Sequence, residues 1–198
     1  NNIKLLSKTK VEKELGLSFN QKILIATFHS ETLNLDNTVK NFKEMLSALK
    51  LHDDITIIFT LPNADTYNQT IIKILKEYKK ERKNLKIYKS LGTNLYLSCL
   101  KYVDGTIGNS SSGITEVPSF KKGTINIGDR QKGRLRAKSI IDCNPTKKEI
   151  NQAINKLFSK EFQKMIRDTI NPYEMKDTSD MTIKILELMP INKVKTFY

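Results

Sequence analysis

The chain has 198 residues, with 34 Lys plus Arg against 21 Asp plus Glu and a formal net charge of +13. That length suits one domain, or two very small ones, and buries a core without a disulfide or metal staple. No apolar stretch approaches the roughly 20 residues of a membrane span, no secretory h-region follows the first charges, and the two Cys and two His match no zinc spacing. Cys99 and Cys143 read as small core thiols in a reducing cytoplasm. The positive charge leaves two readings open, a nucleic-acid-binding surface or a solvated Lys face.

The first twenty residues are polar and short of strand pattern. Residues 10–17 are a candidate helix, or the tail of a connection to something upstream. KILIATF (22–28) is an unalternating apolar run, as expected of a strand covered on both faces. Residues 37–49 place Val39, Phe42, Met45, Leu46 and Leu49 at helical spacing. ITIIFTL (55–61) is a second, β-branched strand, and residues 65–81 a second amphipathic helix. A short strand at 85–88 is followed by a helix at 94–101, and strands are expected at 102–107, 123–127 and 139–142. Residues 146–158 open with Thr146 as N-cap and Glu149 three residues on, the pattern of a capping box. A last helix at 179–188 is ended by Pro190. Alternating strands and helices predict βαβ units on a mostly parallel sheet, an α/β Rossmann-like three-layer sandwich.

Seven of the eight glycines lie between 92 and 133, so backbone turns and close approaches concentrate there. The centre reads TIGNSSSGITEVPSF (106–120): a strand, a Gly/Ser loop and a helix start near Gly113. Free amide groups and the helix dipole at such a start suit a phosphate, with the Ser110 and Ser111 hydroxyls as further donors. The alternative is an ordinary Ser N-cap that needs no ligand. Neither GxGxxG nor the P-loop pattern is present. Glu116 lies one turn on, where a carboxylate can offset the dipole or accept from a ribose diol. From 121 to 138, basic residues outnumber acids seven to one. Arg130 follows a strand, at the edge where α/β ligands collect, and can grip a diphosphate. Lys132, Arg136 and Lys138 are read as a solvated loop face. His29 and Asn63 end the first two strands at the same rim; a lone His there is more often satisfied by backbone than functional.

ATFHSETLN (26–34), IFTLPNADT (58–66) and above all IGNSSSGITEVPSFKKGTINIGDRQKGRLRA (107–137) resemble the hydrolysing UDP-N-acetylglucosamine 2-epimerases of sialic-acid-type sugar biosynthesis, over nearly the whole chain but only their C-terminal domain. The resemblance implies the C-terminal half of a GT-B fold, with a nucleotide sugar held against an N-terminal Rossmann-like domain of the same enzyme. Residues 1–20 would be a remnant of the interdomain connection, 21–175 the UDP-binding domain, and 176–198 a C-terminal helix and tail. Ser110 and Ser111 would bind the diphosphate, Glu116 the ribose, and Arg130 the leaving group. His29 and Asn63 would line the cleft, with Tyr96 and the Leu91 backbone near the uracil. The implied chemistry is elimination of UDP to a 2-acetamidoglucal, then hydration to the free 2-epimer. It needs no metal or redox cofactor, its C2 base comes from elsewhere, and the isolated domain would be inactive. The full enzyme would be a cytoplasmic homo-oligomer. The sugar stays open among UDP-N-acetylglucosamine, its 4-acetamido-4,6-dideoxy analogue and a GDP form.

Two enzyme alternatives share the rim, a GT-B glycosyltransferase donor domain and a non-hydrolysing epimerase. An E-x7-E arrangement would favour the transferase, but Gly108 and Thr124 stand eight residues either side of Glu116. A basic α/β nucleic-acid module would instead be led by Arg134, Arg136 and Lys138, although aromatics do not interleave with them.

Overall fold

Apolar runs without alternation can satisfy both faces only inside a sheet covered on two sides, and that is where they lie. The structure, a computed structural model, describes residues 3–30, 35–62, 68–174 and 178–189. In chain order the helices are α1 (Lys8–Leu15), α2 (Leu35–Leu49), α3 (Asn68–Glu81), α4 (Gly92–Leu100), α5 (Ser112–Thr115), α6 (Lys147–Leu157), α7 (Lys160–Met165) and α8 (Thr178–Leu188). The strands are β1 (Lys22–Thr27), β2 (Ile55–Thr60), β3 (Leu85–Tyr88), β4 (Gly105–Gly108), β5 (Gly123–Ile127) and β6 (Ile140–Cys143). They form one sheet in the order β3-β2-β1-β4-β5-β6, with every pairing parallel. The expected α/β Rossmann-like three-layer sandwich is therefore present, with its strand order reversing between β1 and β4.

Alternate residues of β1 serve the two faces. Leu24 and Ala26 join the larger core with Phe42, Met45 and Leu49 of α2, Ile71 and Leu75 of α3, and Ile150, Ile154 and Leu157 of α6. Ile23 and Ile25 join the second core with Val11 and Leu15 of α1 and Cys99 and Leu100 of α4. The N-terminal segment is thus packed onto the second face. Ser7 caps α1, Gly16 ends it at φ 55°, and Tyr88 Oη donates to Leu15 O at 2.7 Å. The Leu6 amide donates to Ser98 Oγ at 2.9 Å, and Tyr102 Oη to Leu6 O at 3.1 Å.

Several boundaries differ from the sequence reading, each for a local reason. The strand read at 102–107 is Gly105–Gly108, because the Tyr102 and Val103 amides are still bonded to Cys99 O as α4 unwinds. Helix α4 begins at Gly92, whose φ of 65° turns the chain out of β3. The capping box forms by half: Thr146 Oγ1 accepts from Glu149 N, but the Glu149 carboxylate reaches back to the Asn144 amide, at 3.0 Å. Helix α7 was not expected; one turn and a half long, with Phe162 as its buried residue, it carries too little periodicity to read. Helix α8 matches the reading and is exposed at every residue whose burial is described. Pro190 lies outside the described residues. Among those residues no helix is long and apolar enough to cross a membrane.

Candidate functional site

Ligands of doubly wound sheets collect beyond the carboxyl ends of the strands, where the strand order reverses. A cavity of about 690 Å³ opens there, walled by the ends of β1 and β2, the turn from β3 into α4, and the loop from β4 into α5.

The β4–α5 loop is built on glycine. Gly108 has φ 137°, and a Cβ on it would lie 1.8 Å from Thr27 O. Only a residue without a side chain lets β4 end so close against β1. Next, Gly113 packs α5 onto β5, where a Cβ would meet Thr124 Cγ2 at 2.7 Å. Thr124 Oγ1 also donates to Gly113 O at 2.7 Å, fixing the loop from below.

On this base the hydroxyls form a chain. Tyr96 Oη lies 2.8 Å from Ser112 Oγ, and Ser112 Oγ lies 3.2 Å from Ser110 Oγ. All three residues line the cavity. Burial, with the Glu116 charge adding to it, pushes the Tyr96 phenol well above its ordinary range, so it remains a donor at neutral pH. The opening amides of α5 lack intrahelical acceptors by geometry, and with these hydroxyls they suit an anion. Ser111 is not among the cavity-lining residues. It stands at the N-cap position of α5 but is itself helical, φ −63°, and its side chain makes no capping bond. The simple N-cap alternative therefore fails for Ser111.

Glu116 lies at the C-terminal end of the single turn of α5, so it is not a first-turn dipole partner. It sits on the cavity rim, and desolvation by the walls raises its carboxyl above the ordinary value. Leu91 and the adjoining Lys89 and Ser90 also line the cavity. His29 lines the cavity at the end of β1. Arg130 is exposed on the β5–β6 connection and lies behind the loop, its Nη1 donating to Asn109 O at 3.1 Å. Asn63 lies outside the described residues. Lys132 and Lys138 are exposed as read, whereas Arg136 is half-buried. Its Nε donates to Asp142 Oδ2 at 3.0 Å and its Nη2 to Gln131 O at 3.0 Å, so it knits the loop together.

Sequence reasoning singled out neither Asn109 nor Ser112, which the structure places at the candidate site. Both stand inside GNSSSG, and the signal available was position in that loop rather than residue type. Cys99 and Cys143 are free, and burial pushes both thiols up to about 12, as inert packing residues. Among the described residues no group of His, Cys, Asp and Glu has a metal-holding arrangement.

The UDP-N-acetylglucosamine 2-epimerase family model matches residues 2–187. The chain is 43% identical over 163 residues to the GDP/UDP-N,N'-diacetylbacillosamine 2-epimerase (hydrolyzing) of Campylobacter jejuni, covering 82% of this chain and 42% of that protein. It is 37% identical to the polysialic acid biosynthesis protein P7 of Escherichia coli, covering 92% of this chain and 46% of that protein. It thus spans about half the length of these curated relatives. Among solved structures, it superposes on an S. aureus MnaA–UDP co-structure with a TM-score of 0.71 at 14% identity, over 92% of this chain and 49% of that one. It also superposes on the Methanocaldococcus jannaschii UDP-GlcNAc 2-epimerase in complex with UDP-GlcNAc and UDP, with a TM-score of 0.69 at 19% identity, over 90% of this chain and 48% of that one. These two likenesses are of fold, and the sequence matches carry the kinship: this chain belongs to the UDP-N-acetylglucosamine 2-epimerase family.

Proposed function

We propose that this chain is the UDP-binding C-terminal half of a hydrolysing UDP-sugar 2-epimerase acting on a 2-acetamido sugar nucleotide. The observation that carries the reading is the Tyr96–Ser112–Ser110 hydroxyl chain, which faces a cavity of nucleotide size at the switch point of a sheet from this family. In the reaction, the C2 proton is removed and the C1–O bond to UDP breaks, leaving a 2-acetamidoglucal. Water then adds across C1=C2 to give the free 2-epimer.

Expulsion of UDP builds negative charge on the β-phosphate. The Ser110 and Ser112 hydroxyls and the first amides of α5 stabilise that charge from fixed positions, the kind of contribution that is often the largest in catalysis, and the Arg130 guanidinium adds its positive charge from behind the loop. Ser111 completes the loop, Glu116 accepts from the ribose hydroxyls, and Leu91 and the Tyr96 ring face the base. His29 and Asn63 line the sugar-phosphate end. The C2 base belongs to an N-terminal Rossmann-like domain that closes the cleft. The complete enzyme works in the cytoplasm as a homo-oligomer, in sialic-acid-type sugar biosynthesis.

Calorimetric titration of the 198-residue chain with UDP tests the reading. One-to-one binding is expected, weakened at least about tenfold in Arg130→Ala and Glu116→Ala, with no epimerase turnover by the chain alone. Salt-sensitive binding of oligonucleotides without any response to UDP would replace this reading with the basic nucleic-acid module.

A further inference from the structure

The two candidate catalytic groups, His29 and Arg130, come from loops far apart in sequence, after β1 and after β5. Asn109 touches both. Asn109, fully buried directly after Gly108, uses its amide side chain on the backbone of His29. The His29 amide donates to Asn109 Oδ1 at 2.7 Å, and Asn109 Nδ2 donates to His29 O at 2.9 Å. The Asn109 carbonyl accepts from Arg130 Nη1 at 3.1 Å and from Gln131 Nε2 at 2.9 Å. Its own amide donates to Thr27 O at 3.2 Å. Every polar group of Asn109 is therefore engaged in joining the β1, β4 and β5 loops at the switch point.

We infer that Asn109 is a positioning residue that locks His29, which lines the cavity, and Arg130, which lies behind the β4–α5 loop, into one rigid unit. This inference rests on the UDP-binding reading above. Reciprocal amide pairing fixes the direction of the chain as it leaves β1, and so where the His29 imidazole enters the cavity. Bonding to the carbonyl of the same residue fixes the guanidinium relative to that imidazole. An Asp at 109 has the same shape and still accepts from the His29 amide. When ionised it has no donor for His29 O and sets two oxygens against each other.

The test is a double-mutant cycle read by UDP calorimetry on the 198-residue chain, combining Asn109→Asp with His29→Ala and with Arg130→Ala. Asn109→Asp is expected to weaken UDP binding about tenfold while the chain stays folded. In that background, His29→Ala and Arg130→Ala should each cost much less than they do alone, because the groups they remove are already misplaced. Costs that simply multiply would overturn the inference, since they are what a merely structural Asn109 gives. The penalty of Asn109→Asp relative to the native chain should also shrink as pH falls and its carboxyl regains a proton to donate; a pH-independent penalty counts against it.

Native chain that gives no UDP heat would end the functional reading itself, visible before any variant is made. The clamp has its own readout: in nitrogen–proton spectra without UDP, the His29 amide proton should move upfield in Asn109→Ala, and an unmoved resonance would remove the clamp. Should the Ala variant fail to fold, the Asp cycle decides alone.

Discussion

Strands β2 and β4 both lie buried within the sheet, but they are made of opposite materials. β2 runs Ile55, Thr56, Ile57, Ile58, Phe59 and Thr60, and its apolar side chains feed both cores. β4 runs Gly105, Thr106, Ile107 and Gly108, and at both glycines the neighbouring backbone occupies the space a Cβ would need. β2 contributes hydrocarbon, which stabilises the fold wherever the ligand sits. β4 contributes closeness, which brings Asn109 beneath His29 and sets Ser110 and Ser112 on the cavity. One strand is built for stability, the other for placement, and mutations in them should separate the two properties.

The largest expected effect is Gly108→Ala. Its Cβ would overlap Thr27 O, and its φ of 137° is strained for any side chain. Such a clash with backbone cannot relax by a rotamer change and belongs among exceptional losses, above about 4 kcal/mol, with a fall in Tm of about 10 °C or more. UDP binding should disappear with it. A variant that melts within a few degrees of the native chain would mean that closeness at β4 is not essential.

Next is Phe59→Ala, which empties a core site where Phe59 meets Phe42 edge-on at 5.9 Å between ring centroids. The expected loss of stability is about 3–5 kcal/mol, read by urea unfolding. The fraction that stays folded should bind UDP within about twofold of the native chain. A large loss of affinity at constant fold would show that placement is not confined to the glycine strand.

The smallest effect is Glu116→Gln. Desolvation raises the native carboxyl, so the folded chain holds this proton to higher pH than the unfolded chain does. Stability then falls slightly as pH rises from the ordinary carboxylate value through the raised one. At neutral pH the Gln variant, free of that penalty, should melt slightly higher. Its UDP affinity should be lower, since an amide accepts less strongly from a ribose diol. For the native chain, affinity should drop as pH falls through the raised carboxyl value, a drop absent from the variant. Lower stability joined to unchanged affinity would remove Glu116 from the binding site.

Elements with their own periodicity were legible in sequence. The runs KILIATF and ITIIFTL mark buried strands because β-branched residues without alternation fit a doubly covered sheet. The Ser110-to-Glu116 window is legible as a site region because glycine and hydroxyl residues cluster after a strand. The choice of Ser112 over Ser111 as the cavity-facing hydroxyl was not legible. It depends on Tyr96, sixteen residues away, and on Thr124 beneath the loop. Arg136 was read as solvated because its Asp142 partner belongs to the next strand.

Apart from α7, the sequence by itself determined the order of strands and helices, the doubly wound layering, the family and the stretch that carries the candidate site. The element order and layering follow from spacing and composition within windows of ten to twenty residues, where backbone geometry alone couples neighbours, and the family from the resemblance of stretches such as 107–137. The tertiary structure decided which hydroxyls face the cavity, that Arg130 lies behind the loop, and that Asn109 joins His29 to it. Those contacts link residues 16 to 80 positions apart. No local pattern records such distances, because they exist only once parallel crossovers have brought the ends of β1, β4 and β5 to one edge of the sheet.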